Sequence, residues 1–259
     1  MYGILEKVRT EKPLVHHLTN WVTIYDCANI VKVLGASPVM AHAREESGDM
    51  ASLASSLVLN IGTLTPEFIE SMKIAARAAN KKGIPIVLDV CGAGATKLRD
   101  EKSFELLDQV KIDVIKGNTS EIARISGENV QTKGVDSVEV EKNLIELAEH
   151  LAEQRNSIVV ITGKEDIVAD KTRHFIVKNG HEMMAHVVGT GCMAASIIGA
   201  FSAVHKDLAE AAAGALSVYG IAAELAASES RGPATFKEKL FDNIYRLDRE
   251  TIEKLQRIG

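Results

Sequence analysis

Residues 56–90, SLVLNIGTLTPEFIESMKIAARAANKKGIPIVLDV, carry the pattern that decides the fold. Two short runs rich in Val, Ile and Leu, SLVLNIG and IPIVLDV, flank a longer helical segment. Continuous apolar runs of this length are typical of parallel strands that are covered on both faces. Thr65 is suited to cap the helix, with Pro66 in its first turn, and Gly83 is suited to end it. The segment therefore predicts a strand–helix–strand crossover.

The same alternation extends along the chain in both directions. PLVHHLT and SPVMAHA are candidate strands around the helix WVTIYDCANIVKVLG, and DVIKG and SIVVITG are candidate strands around the helix VEVEKNLIELAEHLAEQ. After Gly163, the segments DIVAD, RHFIVKNG and EMMAHVV are typical of short antiparallel strands joined by turns, including Asn179-Gly180. From Gly191 onward three helical segments follow: CMAASIIGAFSAVH, LAEAAAGALSVYGIAAELAASE and TFKEKLFDNIYRLDRETIEKLQR.

These elements predict one three-layer α/β/α domain over residues 1–259. Its central sheet should be mostly parallel, because long helical crossovers join the strands, and short antiparallel strands should form one edge.

Composition limits the class of protein. With 46% hydrophobic and 25% charged residues, the 259-residue chain is typical of a globular protein rather than a disordered one. The formal net charge of −5 gives no electrostatic basis for binding nucleic acid or an acidic membrane surface. The scattered cysteines Cys27, Cys91 and Cys192 argue against a disulfide framework. No signal peptide and no uninterrupted apolar run of about 18 residues is recognisable, so we expect a cytoplasmic protein.

Polar residues and glycines follow the predicted strands, at the carboxyl ends where open α/β sheets bind ligands. Asp89 ends IPIVLD and precedes Gly92 and Gly94, while Asn118 and Glu121 follow DVIKG in an N-x-x-E helix start. The sequences GKED and GTGC follow the later strands. We expect these ends to meet along one edge of the sheet.

The GTGC turn at residues 189–192 has two interpretations. Its backbone N–H groups and the positive end of the following helix would stabilise a phosphate. Alternatively, its glycines only allow close packing. An acidic strand end at Asp89, the N-x-x-E helix start and a second glycine pair, Gly92 and Gly94, are predicted on the same edge, and this combination favours the anion site. The sequence GKED lacks the flanking residues of a Walker loop, and GTGCMA lies too late in the chain, before consecutive helices, for a dinucleotide-binding turn.

Each candidate catalytic or metal-binding side chain also has a structural alternative. Asp89 and Glu121 are suited to hold Mg²⁺ beside a substrate phosphate, although an acidic residue in a first helical turn is also common for stability. Lys116 offers a cation for a phosphate or is a solvated strand end. Cys192, at a helix start, is either a nucleophile that needs a base such as His186 or a small residue that fits.

The histidines show no metal-ligand spacing, and Cys27 has the surroundings of a core residue.

The chain resembles the hydroxyethylthiazole kinase family of the ribokinase-like superfamily. The matching segments are PLVHHLTN, LGASPVMAHAREE, LVLNIGTL, GIPIVLDVCGAGAT, VIKGNTSEI, VVITG and GTGCMAASIIGAF, which run in order up to about residue 201. The resemblance implies ATP- and Mg²⁺-dependent phosphorylation of the primary alcohol of 4-methyl-5-(2-hydroxyethyl)thiazole, a salvage step toward thiamine. It also implies a homotrimer with pockets between subunits.

The resemblance also assigns expected roles to residues. Cys192 would take the place of the superfamily's general-base aspartate, and the loop N–H groups, including those of Thr190 and Gly191, would form the anion hole. The remaining assignments are Met40, Gly189 and Asn20 for the thiazole, Lys116 and Thr162 for ATP, and Asp89 with Glu121 for the metal.

Two positions depart from the family pattern. Arginine is usual at the position of Lys116, and lysine cannot form the same forked hydrogen bonds to phosphate. The family commonly has D-P-V-G where this chain has Asp89-Val90-Cys91-Gly92, so the loop after Asp89 lacks the proline.

Three rival functions remain open from the sequence. One is a kinase for another small alcohol, such as hydroxymethylpyrimidine. The second is a thiol-nucleophile transferase or hydrolase that uses Cys192. The third is a non-catalytic sensor that binds ATP or the thiazole.

Overall fold

The computed structural model describes residues 1–127 and 137–259. The predicted crossover unit is confirmed. Helix α4 spans Pro66–Lys82, and the Thr65 hydroxyl accepts a hydrogen bond from the backbone N–H of Phe68 at 3.1 Å. Gly83 ends the helix in a left-handed conformation with φ of 78°, which costs glycine little.

Within the described residues, an eight-stranded sheet forms the centre of the fold, in the order β2-β1-β3-β4-β5-β6-β7-β8. Strands β1 to β6 pair in parallel, and β7 and β8 complete one edge in the antiparallel direction, as predicted. The strands are β1 Leu14–Leu18, β2 Ser37–Val39, β3 Ser56–Asn60, β4 Ile86–Asp89, β5 Val114–Asn118, β6 Ile158–Thr162, β7 Asp166–Ala169 and β8 His174–Val177.

Helices cover both faces of the sheet, which explains why the central strands are apolar on both sides. The hydrophobic core on one face includes residues of α1, α2 and α8 to α11, and the core on the other face includes residues of α3 to α7. The remaining helices are α1 Tyr2–Glu11, α2 Ile24–Leu34, α3 Ser47–Leu53, α5 Lys97–Gln109, α6 Thr119–Ser126, α7 Ser137–Arg155, α8 Thr190–Ser202, α9 Leu208–Glu229, α10 Pro233–Arg246 and α11 Arg249–Leu255.

Helix α8 lies close to the sheet because it carries a glycine where it crosses β3. A Cβ atom at Gly199 would be 2.4 Å from Cγ2 of Val58 and 3.5 Å from Cγ1 of Val15. The neighbouring helix α9 has the length and apolar composition of a membrane span, but most of its residues are buried in the protein core. Close packing of α8 brings its N-terminus to the carboxyl edge of the sheet.

Two sequence-based predictions in the C-terminal half are wrong. EMMAHVV forms a 3-10 helix, Glu182–His186, instead of an antiparallel strand. Its methionines pack against the helical core rather than alternating across a sheet. The last predicted helix is divided into α10 and α11, because Asp248 caps a new helix by accepting a hydrogen bond from the N–H of Thr251. Helices α1, α3 and α5 had no sequence-based prediction.

Candidate active site

Polar side chains at the carboxyl ends of three adjacent strands form a row on the face that α8 covers. Asn60 of β3 pairs in register with Asp89 of β4, which in turn pairs with Lys116 of β5. Two residues earlier on each strand, Val58, Val87 and Val114 belong to the core under α8. Because strand side chains alternate between faces, the row points toward the N-terminus of α8.

A cavity of about 1030 Å³ opens above this row. Its size suits a nucleotide together with a small second substrate. Eight of the ten predicted site residues line it: Asp89, Lys116, Glu121, Thr162, Gly189, Thr190, Gly191 and Cys192. The strand ends and the GTGC turn therefore meet at one edge, as expected from the sequence.

The buried cation of the site is Lys116. Its Nζ lies 3.2 Å from Oδ2 of Asp89, with the two side chains 5% and 1% exposed. Burial lowers the pKa of Lys116, but the negative charges of Asp89 and its neighbours outweigh that effect and raise it. Burial raises the pKa of Asp89, while Lys116 opposes the shift. A bound anion would therefore meet a positive charge that water does not screen.

Close packing and hydrogen bonds hold the GTGC turn in place. Gly189 has φ of 91°, and a Cβ atom there would be 2.6 Å from Cγ2 of Thr23, so only glycine fits. The Thr190 hydroxyl donates to the carbonyl of Met184 at 3.0 Å, and the Tyr219 hydroxyl donates to the carbonyl of Thr190 at 3.2 Å.

The N-terminus of α8 is therefore held in one orientation. The N–H groups of a helix's first turn lack partners within the helix, so this turn is suited to bind an anion.

Cys192 lies in this first turn, surrounded by hydrogen-bond donors. Its Sγ accepts from Nδ2 of Asn20 at 3.2 Å and from Nδ2 of Asn60 at 3.4 Å. A hydrogen bond from Cys91, with smaller effects of Thr23, Lys116 and Asn20, lowers the pKa of the Cys192 thiol although burial opposes it. The same hydrogen bond and burial raise the pKa of Cys91. The site thus favours the thiolate of Cys192, which is the form of this side chain that has a free lone pair for a proton.

Glu121 has the structural role that its position in a first helical turn suggested. Its Oε2 accepts from the N–H of Asn118, whose side chain accepts from the N–H of Glu121, which is a capping box. Its Oε1 accepts from the N–H of Gly92 at 2.7 Å. Glu121 therefore ties the loop after β4 to the start of α6 and still lines the cavity.

Two predicted substrate residues do not line the cavity. Asn20 is buried and reaches the site through its contact with Cys192. Met40 follows β2 and is half-buried beside the loop that contains His42. His186, the base that a nucleophilic Cys192 would need, is exposed. The partners on the sulfur are the side chains of Asn20, Asn60 and Cys91 instead.

Sequence reasoning assigned no role to three groups of the site. Asn60 is the polar last residue of the apolar run SLVLN, just as Asp89 is the polar last residue of IVLD. The polar residue at the end of a buried strand could therefore have identified Asn60. Cys91 had no distinguishing motif. Asp166, at the start of β7, lines the cavity, and burial raises its pKa to about 6.

The residues present fit a magnesium ion. Within the described part of the chain, Oδ1 of Asp89 is buried and receives no hydrogen bond, so one carboxylate oxygen is available. The same part of the chain contains no cluster of three or more His, Cys, Asp or Glu side chains arranged for a metal. Mg²⁺ does not need such a cluster, because one or two carboxylates and substrate phosphates, with waters, complete its coordination.

Comparison with solved structures defines the class of protein. A ribokinase-like superfamily protein from Enterococcus faecalis shares the fold with a TM-score of 0.67 at 17% identity, over 94% of each chain. The structure of a hydroxyethylthiazole kinase protein from Pyrococcus horikoshii aligns with a TM-score of 0.92 at 43% identity, over 100% of this chain and 97% of that one. The chain has the ribokinase-like fold, and the structure that it matches at 43% identity is that of a kinase.

Sequence comparison identifies the family within that class. The model of the hydroxyethylthiazole kinase family matches residues 5–250. Hydroxyethylthiazole kinase from Methanosarcina mazei is 54% identical over 258 residues, which is 100% of this chain and 99% of that protein. The chain belongs to the hydroxyethylthiazole kinase family.

Proposed function

We propose that the chain transfers the γ-phosphoryl group of ATP to the primary alcohol of 4-methyl-5-(2-hydroxyethyl)thiazole, in the salvage of thiazole for thiamine. Family membership over nearly the whole chain supports this function. The observation that carries it is the meeting of the Asp89–Lys116 ion pair with the GTGC turn in one cavity large enough for both substrates.

The proposed reaction forms a bond between the alcohol oxygen and the γ-phosphorus and breaks the bond from that phosphorus to the leaving ADP oxygen. The alcohol's proton passes to the Cys192 sulfur. Phosphoryl transfer proceeds through a loose transition state, so positioning and charge stabilisation supply most of the catalysis. The N–H groups of Thr190, Gly191 and Cys192 would hold the transferring oxygens, and the Lys116 ammonium would neutralise charge beneath them.

The nucleotide and the metal have further candidate partners. Thr162 lines the cavity at the end of β6, where its hydroxyl donates to the carbonyl of Gly117 at 3.3 Å and its side chain faces the space proposed for ATP. Asp89, directly, and Glu121, through water, would hold Mg²⁺, which when bound neutralises phosphate charge and orients the phosphates. Gly189 and Met40 would contact the thiazole ring.

The test is a coupled ADP-release assay over a panel of alcohols that includes hydroxymethylpyrimidine. We expect turnover that depends on ATP and on the thiazole alcohol, with a product heavier by one phosphoryl group in mass spectrometry. 4-Methyl-5-ethylthiazole, which lacks the hydroxyl, is the matched control and should release no ADP. Preference for hydroxymethylpyrimidine would transfer the assignment to another small-alcohol kinase. A covalent adduct on Cys192 without an ATP requirement would support the thiol transferase.

The oligomer is a separate proposal: a homotrimer in which Met40 of one subunit completes a neighbour's thiazole pocket. Two features support it. Met40 does not line the cavity of its own chain. In addition, Trp21, Val22 and Tyr25, which follow the buried Asn20, are 51%, 67% and 76% exposed, so a large apolar surface lies beside the site.

Subunit mixing tests the shared pocket. Met40→Glu and Cys192→Ala subunits, each inactive alone, are co-expressed with different tags and purified as mixed oligomers. We expect activity to return, because some pockets then combine an intact Met40 with an intact Cys192. Mixed trimers without activity, or a monomer in light scattering, would contradict the shared pocket. The single domain over residues 1–259 and the cytoplasmic location stay predictions.

A further inference from the structure

Asn60 occupies the centre of the hydrogen-bond network around Cys192. It lies at the carboxyl end of β3 and is 1% exposed. Its Nδ2 donates to Oδ2 of Asp89 at 3.0 Å and to Sγ of Cys192 at 3.4 Å. Its Oδ1 accepts from Nδ2 of Asn20 at 3.0 Å and from the N–H of Gly62 at 2.9 Å. Both N–H bonds and both acceptor positions of this amide are therefore used.

The orientation of the Asn60 amide is fixed by the backbone. The N–H of Gly62 can only donate, so it requires the oxygen of Asn60 on its side and leaves the NH₂ group facing Asp89 and Cys192. A flipped amide would place two donors against each other at Gly62 and a carbonyl oxygen against the Asp89 carboxylate.

Asn20 is oriented in the same way. Its Oδ1 accepts from the backbone N–H of Thr23 at 3.1 Å, so its Nδ2 must face the sulfur and Oδ1 of Asn60. Two obligatory backbone donors, at Gly62 and Thr23, thus determine that two amide N–H bonds point at Cys192. The sulfur receives hydrogen bonds from the protein and does not have to donate one.

We propose that Asn60 is a positioning residue that, together with Asn20, holds the Cys192 sulfur as a hydrogen-bond acceptor beside the reacting hydroxyl. This inference rests on the proposed function, because the acceptor matters when Cys192 receives the alcohol's proton. Asn60 also joins the sulfur to Asp89. One amide therefore connects the proposed proton acceptor with the proposed ligand of Mg²⁺. The charged and titratable groups around the sulfur include Cys91, Asp89, Lys116, Cys27 and Tyr219.

The experiment measures the reactivity of Cys192 directly. Iodoacetamide labelling at neutral pH, followed by peptide mass spectrometry, gives the rate at Cys192 in the absence of ATP and alcohol. Asn60→Asp keeps the shape and the acceptor for Gly62 but removes both donors, so we expect labelling at Cys192 to slow about tenfold or more, since donors to the sulfur stabilise the reactive thiolate. Asn60→Leu, which adds no charge, should slow it severalfold as well.

Steady-state kinetics should distinguish a positioning role of Asn60 from general damage to the fold. We expect kcat to fall about 100-fold in Asn60→Asp, the scale of lost proton-transfer catalysis, with KM for both substrates within about threefold. Asn243→Asp is the matched control. Asn243 is also buried and donates to a carboxylate, Glu229, but its other hydrogen bond goes to the carbonyl of Lys239 and not to Cys192. Its variant should label and turn over as the wild type does.

The outcomes are distinguishable. Unchanged labelling of Cys192 in both Asn60 variants, with the buried Cys27 still protected as a sign of the intact fold, would overturn the positioning role. If Cys27 becomes labelled in Asn60→Asp, the fold of that variant is damaged, and the labelling rate of Cys192 in Asn60→Leu is used for the test instead. Slower labelling in a protein that forms no ADP with any alcohol would support the role of Asn60 and refute the kinase proposal instead.

Discussion

The ammonium of Lys116 lies between the carboxylate of Asp89 and the first turn of α8. Its Nζ is 3.2 Å from Oδ2 of Asp89 and 3.2 Å from the position of a Cβ at Gly191. A cation in this place neutralises the buried carboxylate and adds to the positive end of the helix dipole. The ion pair is therefore part of the proposed anion site and not only of the fold.

Replacement of Lys116 by Met should lower kcat/KM for ATP by about 100-fold or more, because the γ-phosphate loses its buried cation and Asp89 is left unpaired. Lys116→Arg, which introduces the residue usual in the family, should stay within about tenfold of the wild type and bind nucleotide at least as well. Steady-state kinetics with varied ATP measure both effects. Lys111→Met is the control, since Lys111 pairs with Asp113 at the opposite end of β5 and is 67% exposed. A Lys116→Met enzyme within threefold of the wild type would refute the role.

Exchange of the cysteine in the GTGC turn tests the proton acceptor. Cys192→Asp should keep substantial turnover, because a carboxylate can also accept the alcohol's proton, whereas Cys192→Ala should lower kcat by roughly 100- to 10,000-fold. ADP release at saturating substrates gives the comparison, and Cys27→Ala, in the core of α2, should change kcat little. Loss of activity in Cys192→Asp would favour a special role of the thiol, and full activity in Cys192→Ala would exclude a base there.

The buried His17 of β1 should make stability depend on pH. Burial lowers the pKa of His17 to about 4, whereas the unfolded chain titrates near 6.5. Between these values the unfolded chain binds a proton that the folded chain does not, so the free energy of unfolding decreases as the pH falls. From pH ~7.5 to ~5 this loss is roughly 2 kcal/mol.

The His17→Leu variant should lack that part of the pH dependence in guanidinium unfolding. The buried Asp89 and Asp166 also titrate, but their contributions cancel in the difference between wild type and variant. His16 interacts with His17, so the difference includes the coupling between the two histidines. His186→Leu, at an exposed position, should keep the wild-type dependence. Equal pH dependence in wild type and His17→Leu would show that His17 is not buried as described.

A glycine in α8 sets the distance between this helix and the sheet. Gly→Ala inside a helix normally stabilises by about 1 kcal/mol, but the new Cβ at Gly199 would be 2.4 Å from Val58. Overpacking costs about 1–3 kcal/mol, and a contact this short should cost about 2–3 kcal/mol. After subtraction of the helical gain, we expect Gly199→Ala to lower the free energy of unfolding by about 1–2 kcal/mol. Gly3→Ala in α1, with open space around the new atom, should stabilise instead. Adding Val58→Ala should recover part of the loss, and a Gly199→Ala protein as stable as the wild type would contradict this packing.

The sequence was most informative where local patterns decide the structure. The apolar run before Asp89, the Thr65 cap and the alternation of strands with long helices predicted the parallel sheet. They failed at EMMAHVV, because apolar residues at this spacing fit either a strand or a helical turn, and packing against the helical core decides between them. They also passed over α3, whose seven residues lack a long apolar pattern.

The sequence predicted which strand ends form the site, but it did not predict the hydrogen bonds that join their side chains. Asp89 and Glu121 could be placed at one edge from their positions after strands. The hydrogen bonds from Asn60 to Asp89 and Cys192 depend on the lateral order of β3, β4 and β5 and on their register, which a single sequence does not specify. The capping box of Glu121 was visible as N-x-x-E, whereas its bond to Gly92 was not.

The polar row at the ends of β3, β4 and β5 has a consequence for how the protein can vary. These strands are buried on both sides, so shifting one of them by a single position would still bury apolar residues, and hydrophobicity alone selects the alignment weakly. The contacts among Asn60, Asp89 and Lys116 select one register of the three strands, because these side chains meet in only one alignment. A deletion of one residue within β4 would turn Asp89 to the opposite face. Length changes inside these strands should therefore be excluded from active homologues, while the loops at the other end of the sheet remain free to change.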